Sequence, residues 1–224
     1  MKYNNIIPAE FLNRKNRFIA KVKIDGTEET VHVKNTGRCK ELLIEGTTVY
    51  LSEADKPARK TKYDLIAVIK NKNFLINIDS QAPNKVTREW LEKQDFDLIK
   101  PEFTYGNSRL DFYMKKGEKE YLMEVKGCTL EKDGIGYFPD APTSRGVRHL
   151  KELIKATKEG YKCYVVFVIQ MENVFDVKAN VDTHPEFGEV LREAEGWGVN
   201  ILMLPCKLSK DSLEIDTEKI DVEI

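Results

Sequence analysis

Three side chains near the middle of the chain have the types and spacing of a site that could cleave phosphodiesters. Asp111 is followed about a dozen residues later by Glu124, and Lys126 comes two residues after Glu124. Two carboxylates can hold a hard cation such as Mg²⁺ or Mn²⁺, and water bound to such a cation is more acidic. A lysine beside them could orient that water or stabilise charge on the phosphate. The same three residues could also form a cross-strand ion pair on an exposed sheet.

The neighbouring residues predict strands that would bring these side chains together. Turn-forming residues divide the stretch 98–126 into three short strands, with Asp111 on the second and Glu124 and Lys126 on the third. Alternation along a strand places Glu124 and Lys126 on one face. Asp111 points away from the apolar face of its own strand. We therefore predict that the polar faces coincide and form a candidate active site.

The elements around these strands predict a layered α/β domain. A helix is expected at about 84–92. A loop is expected at 129–139, followed by a helix-start signal at 141–144, with Thr143 or Ser144 as the cap, and a helix that runs to about 158. A buried strand is expected at 162–170. A helix, an antiparallel meander, a crossover helix and a parallel strand are typical of that architecture. Glu89 on the first helix could reach the site, or it could be a solvated helix carboxylate.

The first turn of the second helix carries a candidate anion contact. Arginines are unusual at a helix N-terminus, where the helix dipole favours anions, and a phosphate bound there would account for Arg145. A solvated polar face accounts for Arg145 nearly as well. His149, one turn later, is predicted to be a surface or packed residue and not a ligand.

The first third of the chain is predicted to be a small β-barrel. Alternating residues flank the hairpin signal Asp25-Gly26, and a domain boundary is expected near the break in β pattern at 80–84. Strands are predicted at 17–24, 28–33, 46–51, 63–70 and 73–79, with a short helix at 38–43. An OB-fold is the commonest barrel of this size, so we predict an OB-fold at 1–80 and an α/β domain at 81–224.

The charge distribution favours a polyanion as partner of the barrel. Residues 1–78 contain 15 basic and 9 acidic side chains, although the whole chain has a net charge of −1. Two basic loops, 35–40 and 58–63, would provide contacts to nucleic acid. These contacts are Arg38, Lys40, Arg59, Lys60 and Lys62. They could instead be ordinary solvated loop residues. An oligosaccharide ligand ranks lower, since the loops are basic and not rich in aromatic residues.

The chain shows no sign of a membrane partner or of a disulfide framework. Its longest apolar run, 164–169, is too short to cross a bilayer, and none of its four cysteines forms a Cys-x-x-Cys pair. We therefore expect a cytoplasmic protein with reduced thiols.

Sequence blocks along nearly the whole chain resemble a known family. They comprise residues 35–38, 59–65, 77–84, 105–112, 124–130 and 138–146. Together they resemble the sugar fermentation stimulation protein family (SfsA). The pattern Asp111…Glu124-Val125-Lys126 resembles the PD-(D/E)xK phosphodiesterases, with Leu110 at the position of the motif's proline.

The resemblance implies an N-terminal OB-fold barrel followed by a PD-(D/E)xK nuclease-like α/β domain. It implies Mg²⁺ or Mn²⁺ held by Asp111, Glu124 and the Val125 carbonyl, with Lys126 catalytic and Glu89 as the family's helix carboxylate. It also implies DNA binding, expected to be nonspecific, and a role in regulating sugar metabolism genes; RNA stays open as a partner. We therefore predict a metal-dependent nuclease, with a non-catalytic DNA-binding regulatory protein that uses the nuclease fold as a scaffold as the alternative.

Overall fold

The computed structural model describes residues 1–35, 37–54, 59–220 and 224 of the 224-residue chain. The strands are β1 (Ile6–Arg14), β2 (Ile19–Ile24), β3 (Thr27–Val33), β4 (Thr48–Glu53), β5 (Tyr63–Lys70), β6 (Phe74–Asn77), β7 (Leu98–Tyr105), β8 (Ser108–Lys116), β9 (Lys119–Cys128), β10 (Leu130–Lys132), β11 (Ile135–Phe138), β12 (Lys162–Ile169), β13 (Val177–Ala179), β14 (Asn200–Ser209) and β15 (Ser212–Ile215). The helices are α1 (Ala82–Leu91), α2 (Ser144–Lys158) and α3 (Pro185–Gly196), with a 3₁₀ turn at Thr217–Lys219. Thr36 and Ala58, in the predicted basic loops, lie outside the described residues.

The chain divides into two compact units. The first comprises Met1–Ala82, Gln170–Asn173 and Cys206–Glu214, and the second comprises the remaining residues from Pro83 onwards. The first segment of the first unit ends at Ala82, and two later segments of the chain also belong to this unit.

The first unit is a closed five-stranded barrel of the OB type. Strands β3-β2-β1-β4-β5 form its wall, and parallel pairing of β3 with β5 closes it. Alternating apolar residues such as Val22, Val31 and Val49 fill the interior with no exposed surface. Asp25 and Gly26 both have positive φ, which is the geometry of the predicted β2–β3 hairpin turn.

Two features of the barrel differ from the predicted elements. Strand β1 was not predicted, and the expected helix at 38–43 is wrong because these residues form turns. A helix would need the Arg38 carbonyl to accept from the amide of Leu42, whereas that carbonyl accepts a 2.6 Å hydrogen bond from the Arg14 guanidinium. The amide of Leu42 bonds to the Cys39 carbonyl instead.

A buried ion pair connects β6 to the loop after β3 within the first unit. Asp79 has no exposed surface, and the Lys34 ammonium lies 2.8 Å from its Oδ2. The Tyr3 hydroxyl also donates to Asp79 Oδ2, at 3.1 Å, and the amide of Gln81 donates to Asp79 Oδ1. Because Asn35 donates to the Ile78 carbonyl, the start of the basic loop 35–40 is held against this network.

The second unit is built on a mixed sheet with β9 near its centre. The order within this unit is β14-β12-β9-β8-β7, with β9 antiparallel to β8 and parallel to β12. Helix α2 packs on β8, β9 and β12 through buried Leu150 and Leu153. The loop predicted at 129–139 contains the short hairpin β10–β11, which pairs with β13. Among the described residues, no helix is long and apolar enough to span a membrane.

Asp64 on β5 provides a test of barrel stability. Burial raises the pKa of this carboxyl, but hydrogen bonds from Arg59 and His32 outweigh burial and lower its pKa. A lowered pKa stabilises the fold above the unfolded pKa of about 3.9, and the stabilisation is lost as the pH falls through the folded-state pKa. We expect Asp64→Asn to lower the free energy of unfolding by about 1–3 kcal/mol at pH 7.

Urea unfolding of both proteins between pH 7 and pH 3 checks this expectation. The difference should be constant above about pH 5 and shrink below about pH 4. Glu45→Gln, at an exposed position of the same unit, should change stability by less than about 0.5 kcal/mol. A difference that does not depend on pH would show that the Asp64 charge is not what stabilises the barrel.

Candidate active site

Adjacent strands bring the predicted carboxylates together. The register of β8 and β9 pairs Phe112 with Met123, so one further step places Asp111 opposite Glu124. The amide of Val125 donates a 2.8 Å hydrogen bond to Asp111 Oδ2, which fixes the Asp111 side chain against β9. The two predicted polar faces therefore coincide.

Glu124 is a buried carboxylate with two cationic or polar partners on a single oxygen. Only 3% of its surface is exposed. Its Oε1 accepts a 2.6 Å hydrogen bond from Lys126 Nζ and also contacts His149 Nδ1. Burial raises the pKa of Glu124, but Lys126 and His149 outweigh burial, so the pKa is lowered and the side chain is held as an anion. Its other oxygen, Oε2, is buried without a hydrogen-bond partner.

The pKa of the Asp111 carboxyl is raised, in contrast to that of Glu124. Burial and the nearby Glu124 carboxylate raise its pKa, although hydrogen bonds from Val125 and Asn84 act in the other direction. Asn84, near the start of α1, donates a 2.7 Å bond to Asp111 Oδ1. Two carboxylates this close repel one another, and a cation placed between them would relieve that repulsion.

Helix α2 presents Arg145 and His149 to the site because of the way its first turn is built. The Thr143 hydroxyl accepts a hydrogen bond from the amide of Gly146, so Thr143 is the N-cap of this helix. Gly146 allows this turn to be tight, because a Cβ there would lie 2.9 Å from the Thr143 side chain. His149 is 1% exposed, and Arg145 Nε donates to its Nε2 at 3.3 Å.

The structure adds two residues to the site, because Asn84 and His149 contact the carboxylates. Glu89 lies at an exposed position of α1, and its role in the site stays a prediction. The sequence signal for Asn84 was its position beside the predicted helix start. His149 had no local signal, since its contact with Glu124 spans 25 residues.

The described residues contain no cluster of three or more His, Cys, Asp or Glu side chains able to hold a metal ion. The carboxylates near one another are those of Asp111 and Glu124. Mg²⁺ is usually bound through one or two carboxylates and several waters, so this pair is compatible with Mg²⁺ or Mn²⁺. The buried Oε2 of Glu124 adds an unshared oxygen to that donor set.

Two of the predicted basic contacts in the first unit lie close to carboxylates. Arg59 donates two hydrogen bonds to Asp64, at 2.9 and 2.7 Å, and Lys62 lies 3.8 Å from Glu53. Lys60 is exposed. Because Arg59 is bound to Asp64, it stabilises the barrel as well as contributing charge.

Arg38 and Lys40 line an open pocket of about 300 Å³ in the first unit. Arg17, which was not predicted, also lines this pocket, and within the described residues no carboxylate pairs with these three cations. Arg14 shapes the pocket wall by donating to the carbonyls of Asn35, Gly37, Arg38 and Arg17 at 2.6–2.8 Å. We refer to Arg17, Arg38 and Lys40 as the basic pocket.

Fold and site together define a two-domain protein, an OB barrel followed by an α/β domain with a carboxylate pair in which Glu124 is buried. Family models agree with both parts: "SfsA N-terminal OB domain" matches residues 12–78, and "Sugar fermentation stimulation protein RE domain" matches residues 81–212. The chain belongs to the sugar fermentation stimulation protein family.

Relatives resemble the chain over nearly its whole length. A sugar fermentation stimulation protein homolog from Desulfitobacterium hafniense (strain DSM 10664 / DCB-2) is 58% identical over 96% of this chain and 95% of its own length. A homolog from Clostridium beijerinckii is 55% identical over 96% of each chain. The solved structure of Pyrococcus furiosus SfsA in complex with Ca²⁺ is 32% identical, has a TM-score of 0.84 and covers 96% of this chain and 95% of that one.

The Glu124–Lys126 pair can be tested by a double-mutant cycle in EDTA. Lys126→Met leaves the buried Glu124 carboxylate without its ammonium partner and should lower the free energy of unfolding by about 3 kcal/mol. Adding Glu124→Gln to Lys126→Met should recover part of that loss, because the uncompensated charge is removed. Urea unfolding of wild type, both single variants and the double variant measures the coupling. Strictly additive losses would contradict a buried ion pair.

Proposed function

We propose that this protein is a metal-dependent nuclease whose active site is formed by Asp111, Glu124 and Lys126. The observation that carries the proposal is the buried Glu124 Oε2, which has no hydrogen-bond donor and lies on a carboxylate beside Asp111. A buried acceptor without a donor is costly, and a bound cation would satisfy it. Mg²⁺ or Mn²⁺ is the cofactor we propose, with the Val125 carbonyl as a third oxygen ligand.

Each chain residue has a role that its contacts support. Asp111 is oriented by Asn84 and by the Val125 amide, so its carboxylate is positioned before any ligand binds. Lys126 keeps Glu124 anionic, and its side chain is 11% exposed, so it can contact a phosphate oxygen. A divalent cation, when bound, would supply Lewis-acid stabilisation of the phosphate and a more acidic water. Arg145, exposed at the start of α2, is a phosphate contact.

The basic pocket of the first unit is the proposed nucleic-acid contact. Unpaired arginine and lysine side chains attract the phosphate backbone without selecting a sequence, and OB barrels bind single strands in this way. DNA is the proposed polymer, bound without sequence preference, and RNA is an arm of the test. The four cysteines are free thiols, which supports a cytoplasmic location.

The relatives support binding of a divalent cation more directly than they support a role in sugar metabolism. The Pyrococcus furiosus relative was solved in complex with Ca²⁺, an ion that prefers oxygen ligands as Mg²⁺ does. The relatives' names connect them with sugar fermentation, and regulation of sugar metabolism genes is the role we propose on that basis.

Cleavage of labelled nucleic acid tests the nuclease. Wild type should cut single-stranded DNA, duplex DNA or RNA with Mg²⁺ or Mn²⁺ and should be inactive in EDTA. Asp111→Asn and Lys126→Met should each lower the rate at least about a hundredfold, the order expected on losing one preorganised electrostatic partner. Lys119→Met, at an exposed position on the same strand, should cut like wild type.

The same gels decide between the nuclease and the non-catalytic DNA-binding regulator. Cleavage that survives in both site variants would come from a contaminating enzyme. Absence of metal-dependent cleavage in wild type, with a band shift on DNA, would favour the regulator. The lack of a three-residue metal cluster among the described residues is the observation that favours that second function.

Binding in EDTA tests the basic pocket separately from cleavage. Arg38→Ala and Lys40→Ala should each weaken binding to labelled single-stranded DNA. Each should also make the slope of the logarithm of the association constant against the logarithm of salt concentration less negative by about 0.7. Lys23→Ala, on an exposed part of β2 outside this pocket, should change neither quantity. Equal effects of all three substitutions would indicate diffuse charge attraction and would contradict a defined contact in the basic pocket.

A further inference from the structure

His149 is a buried histidine with both ring nitrogens engaged. It lies on α2 with 1% of its surface exposed. Its Nδ1 contacts Glu124 Oε1, and its Nε2 lies 3.3 Å from Arg145 Nε. Neither nitrogen is therefore available to bind a metal ion or a substrate directly.

The two contacts of His149 determine which nitrogen carries the hydrogen. An arginine Nε–H can only donate, so His149 Nε2 has to accept and cannot carry a hydrogen. An ionised carboxylate can only accept, so Nδ1, which faces Glu124, has to donate. Arg145 and Glu124 thus favour the same tautomer of the neutral ring, with the hydrogen on Nδ1.

The Glu124 carboxylate is consequently held from one side only. Both donors, Lys126 and His149, bind Oε1, and Oε2 is left buried without a partner. Two donors on one oxygen, coming from a strand and from a helix, restrict rotation of the carboxylate. The orientation of the Glu124 carboxylate, and with it the position of Oε2, is therefore determined before any ligand arrives.

We propose that His149 is a positioning residue, held in the Nδ1–H tautomer by its contacts with Arg145 and Glu124, that orients Glu124 so that Oε2 is presented to a divalent cation. The presentation of Oε2 to a cation rests on the proposed function, whereas the tautomer of His149 and its contact with Glu124 do not. The remaining guanidinium nitrogens of Arg145 bind no described residue, so Arg145 can orient His149 and contact a phosphate at once.

The tautomer is tested without metal. Long-range ¹H–¹⁵N correlation spectra in EDTA should show the hydrogen of His149 on Nδ1, and His149→Asn assigns the signal among the three histidines. The double variant Arg145→Met, Glu124→Gln should produce a mixture of tautomers, because neither neighbour then fixes the hydrogen, whereas Arg148→Met, exposed on the same helix, should leave the spectrum of His149 unchanged. An Nε2–H tautomer in the wild type would overturn the proposal.

The positioning role is tested by two replacements that mimic different ring nitrogens. The amide nitrogen of His149→Asn lies close to the position of Nδ1, whereas that of His149→Gln lies close to Nε2. Calorimetry with Mn²⁺ should show affinity within about threefold of wild type for the asparagine variant and a loss of about tenfold or more for the glutamine variant.

Urea unfolding of both variants shows whether they are folded and equally stable before their affinities are compared. Equal Mn²⁺ affinities in the two folded variants would overturn the positioning role. Wild-type protein that binds no Mn²⁺ would overturn the proposed function and the cation step. The tautomer spectra would still decide whether His149 orients Glu124, so the two failures are distinguishable.

Discussion

The second unit depends on keeping the carboxylate of Glu124 ionised inside the protein. An unpaired buried charge is strongly unfavourable, so the fold has to supply partners from elements that are separate in sequence. Lys126 does so from the same face of β9, and His149 does so from α2. The position of α2 on the sheet is therefore set by electrostatics as well as by its apolar residues. The N-cap at Thr143 and the tight turn at Gly146 place Arg145 and His149 one turn apart on that helix.

The same constraint organises the surface of the first unit. Asp79 is fully buried and is paired with Lys34, and hydrogen bonds from this region hold the beginning of the loop that carries Arg38. Arg14 then uses its donors on the carbonyls of that loop, which prevents it from becoming a helix. This ion pair and the carbonyl contacts of Arg14 thus determine where the exposed cations lie. Arg17, Arg38 and Lys40, which are separate in the sequence, line one pocket as a result.

Much of the fold could be predicted because the signals that specify it are local. Strands β8 and β9 follow from alternation and turn residues, and α2 follows from its cap, so the proximity of Asp111 and Glu124 was predictable. Strand β1 was missed because Pro8 and a register shift after Phe11 interrupt its alternation. The role of His149 could not be predicted, since it depends on how a helix packs on a sheet. For Arg59 the sequence showed the charge of the side chain but not its pairing with Asp64.

A site assembled for stability alone would not have this arrangement. Replacing a buried ion pair by well-packed apolar residues is often neutral or stabilising, so Glu124 and Lys126 are not explained by stability. The unsatisfied Oε2 of Glu124 and the raised pKa of Asp111 are further unfavourable features at the same place. The proposed cation, placed between the two carboxylates, would relieve all of these features. Local violations of folding rules that a single ligand would remove together are the physical signature of a binding site, and here that signature coincides with the residues best suited to phosphodiester chemistry.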